Sequence, residues 1–173
     1  MKDFLELAKE RYSCRNLTDK AIEPEKVDRI LQAAISAPTA KNIQPYKIWK
    51  ISSAEAKEKI QQVAKFPFVK ESAIIFAVGV KQEEAFVRPF DNLNYGLIDG
   101  AIVATHLMLA IQAEGLGTTW VGYFGAPKLQ EIIPEMQGYD LIALFPVGYP
   151  AEGAKPSDRH EKRRAISEVV SEI

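Results

Sequence analysis

Ala37-Pro38-Thr39-Ala40-Lys41-Asn42-Ile43-Gln44-Pro45-Tyr46 is the stretch on which the reading of this chain turns. Two prolines restrict its backbone, and between them the side chains of Thr39, Lys41, Asn42 and Gln44 can hydrogen-bond. Upstream, Glu23-Pro24-Glu25 opens a helix with proline and acids in its first turn. Val27, Ile30, Leu31, Ala34 and Ile35 then recur at helical spacing. That helix must stop before Pro38, because the residue preceding a proline is disfavoured in the α region. Downstream, Tyr46 to Ser52 alternates as a strand, with β-type bulk at Ile48, Trp49 and Ile51. A plain connector needs only a turn here; this one is built to hold polar groups in a set geometry.

Outward from that loop, a first helix is expected over about residues 2 to 10. Ser52, three residues before Glu55, predicts a capping box opening a third helix that runs to about Ala64. Ser72 to Val80 is a continuous apolar run and reads as a buried strand. Residues 81 to 93 read as irregular. A fourth helix, about Asn94 to Glu114, is apolar around nearly its whole circumference. Only the centre of the molecule or a second subunit can bury such a helix. Gly115 ends it. A short strand over Thr118 to Val121, a short helix over Pro127 to Ile133 and a buried strand over Asp140 to Tyr149 complete the order. Four strands among five or six helices give an α/β or α+β layered fold, and the lack of strict βαβ alternation disfavours a doubly wound sheet.

The 173 residues suit one domain, able to bury roughly 70% of its unfolded surface, with residues 155 to 173 as a polar, basic C-terminal tail. Its composition, 47% apolar and 26% charged, is that of a globular protein. A net charge of −1 supplies no broad basic field to displace counterions, which argues against a nucleic-acid partner. The charged N-terminus cannot act as a signal-peptide core, and the apolar runs around 73–80 and 101–111 fall short of a membrane span. A cytoplasmic location with no membrane association is the expectation. A single cysteine, Cys14, excludes an intrachain disulfide, and two histidines, His106 and His160, supply no metal site. His106 reads as a hydrogen-bonded core residue.

Three further segments can carry chemistry. In an extended Arg11-Tyr12-Ser13-Cys14-Arg15, residues 11, 13 and 15 share one side, and two guanidiniums with a hydroxyl suit a phosphate monoester. A solvated basic helix end offsetting the helix dipole explains the same residues. Gly115-Leu-Gly-Thr-Thr-Trp-Val-Gly122 is not a dinucleotide fingerprint, since it follows a helix instead of opening one. Gly122, closing a strand, lets a planar ligand approach the backbone. His160-Glu-Lys-Arg-Arg164 is, by itself, a solvated charged face. There is no Ser-His-Asp order, Walker loop or paired-carboxylate motif.

In this order and spacing the segments resemble the FMN-dependent nitroreductase family. The 37–46 loop is similar to the family's Ala-Pro-Ser-x-x-Asn-x-Gln-Pro-Trp, residues 11–15 to its Arg-x-Ser-x-Arg, and residues 115–122 to its Gly-Leu-Gly-Thr-x-Trp-x-Gly. Arg163-Arg164 before Ala-Ile-Ser-Glu-Val-Val resembles its C-terminal basic pair, and Asp99-Gly-Ala-x-x-Ala-x-His-Leu-Met-Leu-Ala its central helix. The chain departs from the pattern at Tyr12, Leu17, Thr39, Tyr46 and His106, and has Val121 where some members carry glutamate.

The resemblance implies an α+β fold with a mixed, mainly antiparallel sheet flanked by helices, and an apolar central helix at a homodimer interface. It implies FMN, held through Arg11, Tyr12, Ser13, Arg15, Pro38, Thr39, Ala40, Asn42, Gln44, Trp120, Val121, Gly122, Arg163 and Arg164, with the 37–46 loop reaching the flavin of the partner subunit. Arg15 or Lys41 would place positive charge near the N1 and O2 edge of the ring. The flavin carries the chemistry, and no side chain serves as catalyst. The implied activity passes electrons from NADH or NADPH to a small flat acceptor, such as a nitroaromatic or quinone, in a ping-pong cycle. The alternative is a non-catalytic flavin-binding or sensing protein. Residues 65 to 95, with Phe66, Phe68, Phe86, Phe90 and Tyr95, are the expected cover over the substrate.

Overall fold

The computed structural model describes residues 3–173, so the expected helix start at residue 2 lies outside the described residues. In chain order the elements are α1 (Phe4–Glu10), β1 (Leu17–Thr18), α2 (Pro24–Ile35), β2 (Tyr46–Ile51), α3 (Ala54–Val63), α4 (Pro67–Lys70) and β3 (Ile74–Val80). They continue with α5 (Gly96–Ala113), β4 (Gly117–Thr118), α6 (Ala126–Ile132), β5 (Asp140–Pro150) and α7 (Ile166–Val169). The strands form one sheet in the order β1-β5-β3-β2, with β4 also on β5. Each of these pairings is antiparallel. The α+β expectation stands.

Both faces of the sheet are covered. Phe76 and Val78 of β3 and Ala143, Phe145 and Val147 of β5 pack against Ile30 and Ala34 of α2 and Ala104, Leu107 and Ile111 of α5. Their neighbours Ile75, Ala77 and Leu144 point the other way, onto Ile60 of α3, Phe68 and Val69 of α4, and Leu129 of α6. Two buried faces explain why β3 reads as an unbroken apolar run with no alternation. Burying each large side chain stabilises the fold by about 1.5–3 kcal/mol.

α5 presses closest to the sheet at Gly100, where any Cβ would overlap Val80 Cγ1 and Ile142 Cδ1. Gly115 then stops the helix in the left-handed conformation, at φ 74°, that its lack of a Cβ permits. At 18 residues α5 is long and apolar enough to cross a membrane, which corrects the expectation of shorter runs. Here it serves as a core helix, with Asp99, Gly100, Val103, Ala104, Leu107 and Ile111 buried. Its opposite face is open, leaving Leu97 50% and Ile98 39% exposed.

Local chemistry moves several boundaries. The cap of α3 is Ser53, whose Oγ accepts from Ala56 N–H at 3.2 Å, one residue beyond the expected Ser52. The strand after Gly115 spans only two residues, and Val121 bridges to Leu144 separately. The sequence does not announce β1, α4 or α7; each spans only about one period of its own pattern, too little for a recurrence to show.

Candidate functional site

The two-residue pairing of β1 with the end of β5, Leu17 opposite Pro150 and Thr18 opposite Tyr149, brings distant parts of the chain together. It is reinforced by Ala151 N–H donating to Asn16 O at 3.0 Å and Cys14 N–H donating to Thr118 O at 2.9 Å. Cys14 is buried against Gly117, where a Cβ would lie 2.8 Å from its Sγ. Residues 11–15 are thereby fixed beside the point where the C-terminal tail leaves β5. Between them lies a cavity of about 450 Å³ lined by Arg11, Tyr12, Ser13, Arg15, Ser157, Arg159, His160 and Arg163.

Four guanidiniums and two serine hydroxyls line this cavity, with no carboxylate among the lining residues. None of the four guanidiniums forms an ion pair with a described carboxylate. Arg163 instead donates to the carbonyl of Lys162 at 2.9 Å. The Tyr12 phenol is pushed up to about 12, first by burial and then by its hydrogen bond with Cys14. It therefore keeps its proton at ordinary pH and can donate to an anion without repelling it. His160 meets Tyr12 edge-on, with ring centroids 6.4 Å apart. Forked donors that meet no described carboxylate, around a small cavity, suit a phosphate dianion.

Of the residues singled out from sequence, Arg11, Tyr12, Ser13, Arg15 and Arg163 share this cavity; Arg164 does not line it. Its Nη2 donates to Glu168 O at 3.1 Å and its Nε lies 3.9 Å from the Glu168 carboxylate. The two arginines diverge because successive residues of a non-helical segment project to different sides. Ser157, Arg159 and His160 were missed. Their stretch, Ser157-Asp-Arg-His160, reads by itself as part of a charged tail.

Pro38, Thr39, Ala40, Asn42 and Gln44 lie elsewhere, on an exposed loop beside the start of α5. Ala40 N–H donates to Asp99 Oδ1 at 2.9 Å, and Gln44 N–H to Thr39 Oγ1 at 3.1 Å. Lys41, Asn42 and Gln44 hold φ of 52°, 57° and 58°, a region that non-glycine residues seldom occupy. Trp120 packs edge-on against Phe145 at 5.2 Å, and Val121 exchanges backbone hydrogen bonds with Leu144. A Cβ on Gly122 would meet only the Trp120 ring, at 3.7 Å, so the surrounding chain does not demand glycine there.

The aromatic cover is redistributed. Phe66 and Phe68 stack on each other at 5.3 Å, with Phe68 in the core beneath α3 and Phe66 packed against it. Phe86 and Tyr95 pack together on a turn whose tip leaves Phe90 93% exposed. Lys41 Nζ sits 4.5 Å from the Phe86 ring centre, so this turn leans on the 37–46 loop. His106 is not a core residue; it lies half-buried in the groove along the open face of α5.

The family model described as the nitroreductase family matches residues 8–84 and 65–149. An NADPH-dependent oxidoreductase of Staphylococcus haemolyticus is 27% identical over 100% of this chain and 82% of its own length. An FMN reductase (NADPH) of Bacillus subtilis is 26% identical over 90% and 70%. The crystal structure of a nitroreductase family protein from Clostridium difficile 630 superposes with a TM-score of 0.88 at 34% identity, covering 98% of both chains.

Proposed function

This chain belongs to the nitroreductase family, and we propose that it is an FMN-dependent oxidoreductase passing electrons from NADH or NADPH to small flat acceptors such as nitroaromatics or quinones. The observation that carries this reading is the arginine cavity. Arg11, Arg15, Arg159 and Arg163 converge there from both ends of the chain, unpaired with any described carboxylate. That donor set fits the phosphate of FMN, with Ser13, Ser157 and the neutral Tyr12 phenol as further donors. When bound, FMN supplies the hydride and electron exchange that no side chain here offers. The open approach over Gly122 fits a planar ring as well. Relatives named as an NADPH-dependent oxidoreductase and an FMN reductase support the donor and the cofactor.

The chain's own residues position and shield. The arginines bind and orient the phosphate. Pro38 to Gln44 and Trp120 to Gly122 serve the ring, with Arg15 or Lys41 adding positive charge at its edge. Neither of those two segments lines the arginine cavity of its own chain. A homodimer that presents the loop of one copy to the cavity of the other completes the site. The open face of α5 supports this, since a groove of about 640 Å³ runs along it, lined by Phe4, Leu97, Ile98, Ala101, Ile102, Thr105, His106 and Leu109. Donor and acceptor then use one slot in turn, which gives the ping-pong order.

Purified protein should bind FMN, absorb at flavin wavelengths, and bleach anaerobically on addition of NADH or NADPH. Failure to load FMN overturns the proposal. A loaded protein inert to both nicotinamides is instead a non-catalytic flavin binder or sensor.

A further inference from the structure

We propose that Asp99, in the first turn of α5, is a positioning residue that holds the Thr39–Gln44 loop in the conformation it presents to the cofactor ring; the inference rests on the reading of that loop as part of the flavin site. Asp99 is 1% exposed. Its Oδ1 accepts from Ala40 N–H at 2.9 Å, while its buried Oδ2 meets no donor among the described residues. Ala40 opens the single 3-10 turn Ala40–Asn42, so the carboxylate grips the loop where it leaves the extended backbone of Thr39.

Beyond that grip the backbone is unusual. Lys41, Asn42 and Gln44 occupy the left-handed region although none is glycine, and such residues persist only where their surroundings over-determine them. Yet Lys41 to Gln44 are exposed. The restraints come from the two ends and from within: Asp99 on Ala40, Lys81 N–H on Pro45 O at 2.9 Å, and Gln44 N–H on Thr39 Oγ1. A strained segment that is exposed yet held from behind is pre-set for a ligand in front.

Asp99 sits on backbone that is hydrogen-bonded and closely packed. Its N–H donates to Tyr95 O at 2.8 Å, and its neighbour Gly100 is pressed against Val80 and Ile142. Packing alone does not call for a carboxylate here, because a buried oxygen without a donor detracts from stability. What the side chain contributes is geometry: it couples the core helix to the loop.

The test uses the full chain, with FMN and riboflavin as probes and flavin fluorescence quenching as the readout. Asp99→Ala should weaken both flavins by the same factor, about tenfold or more for one charge-assisted hydrogen bond. It should also shift the spectrum of the bound flavin and speed hydrogen exchange at the Gln44 amide. Asp99→Asn should retain most of the affinity, because its amide oxygen still accepts from Ala40. Should Asp99→Ala not fold, Ala40→Pro removes the donor instead; proline suits the first position of the turn and leaves α5 untouched. It should cause the same loss. The proposal is overturned if the folded variants lose thermal stability but keep both affinities and the spectrum. It is also overturned if Asp99→Asn is as weak as Asp99→Ala. If the unmutated protein binds neither flavin, the flavin reading fails; if it binds them and the variants bind equally well, the positioning role alone fails.

Discussion

Arg29 and Glu114 form a two-pronged ion pair, Nε to Oε1 at 2.8 Å and Nη2 to Oε2 at 2.7 Å, tying α2 to the residue that closes α5. Chiefly through that hydrogen bonding, Arg29 holds the Glu114 carboxyl below its ordinary value of 4.5. A carboxyl depressed in the folded state contributes stability that is fully present above its unfolded value and lost as pH falls through its folded value. Urea midpoints should therefore drop on acidification below about pH 4.5, and part of that drop should vanish in Arg29→Ala. An unchanged acid slope in the variant would show that the pair is not coupled to folding.

The arginine cavity predicts a division among cations. Arg11→Ala with Arg15→Ala should weaken FMN binding by several kcal/mol, at ~1.5–3 for each charged hydrogen bond removed, and Arg11→Ala alone should leave riboflavin nearly untouched. Arg163→Ala should act in the same way. Arg164→Ala should not, because its guanidinium is engaged with Glu168. Titration calorimetry with both flavins reads the difference, and equal effects at 163 and 164 would contradict a phosphate seated in this cavity.

Gly122 separates a structural from a ligand-facing role. The space around it accepts a Cβ in ordinary contact with Trp120. Gly122→Ala should therefore alter the stability of the flavin-free protein by no more than about 0.5 kcal/mol. Against a ring seated over the backbone it should cost FMN binding about 1 kcal/mol or more. A variant that unfolds, or one that binds normally, removes Gly122 from the site.

Gly148 tests the device that assembles the cavity. A Cβ there would overlap the backbone oxygen of Thr18, which cannot yield as a flexible side chain would. Gly148→Ala should destabilise the fold by about 1–3 kcal/mol and loosen β1 from β5. FMN affinity should fall with it even though no cavity residue is altered. Chemical denaturation and FMN titration on the same sample check both halves.

The open face of α5 predicts assembly. Leu97→Glu should convert a dimer to monomers in sedimentation velocity, since each large apolar side chain buried at an interface is worth about 1.5–3 kcal/mol. Flavin affinity should drop in the monomer if the loop of one copy completes the cavity of the other. A dimer that survives the charge would place the interface elsewhere.

Long elements were legible in the chain itself. The recurrence of Val27, Ile30 and Ala34 marks α2 and its buried face, and the unbroken apolar runs of β3 and β5 mark strands covered on both sides. Short ones were not. β1 has two residues, and its partner lies at the far end of the sequence, so no local pattern could announce it. The same non-locality hid Ser157, Arg159 and His160: a polar tail looks solvated until something gathers it against residues 11–15. The link from Asp99 to Ala40 was equally out of reach, because the two residues meet only after α5 packs on the sheet.

By itself, then, the order of residues determined the long helices, the long buried strands and the kinds of groups available for an anion and a planar ring. Periodicity and backbone restriction are local properties, and they survive in the linear chain. Which arginines face one another, which carboxylate braces the strained loop and which helix face stays open were decided only when the sheet closed. Those depend on distances between residues far apart in the chain, set by packing against a common core.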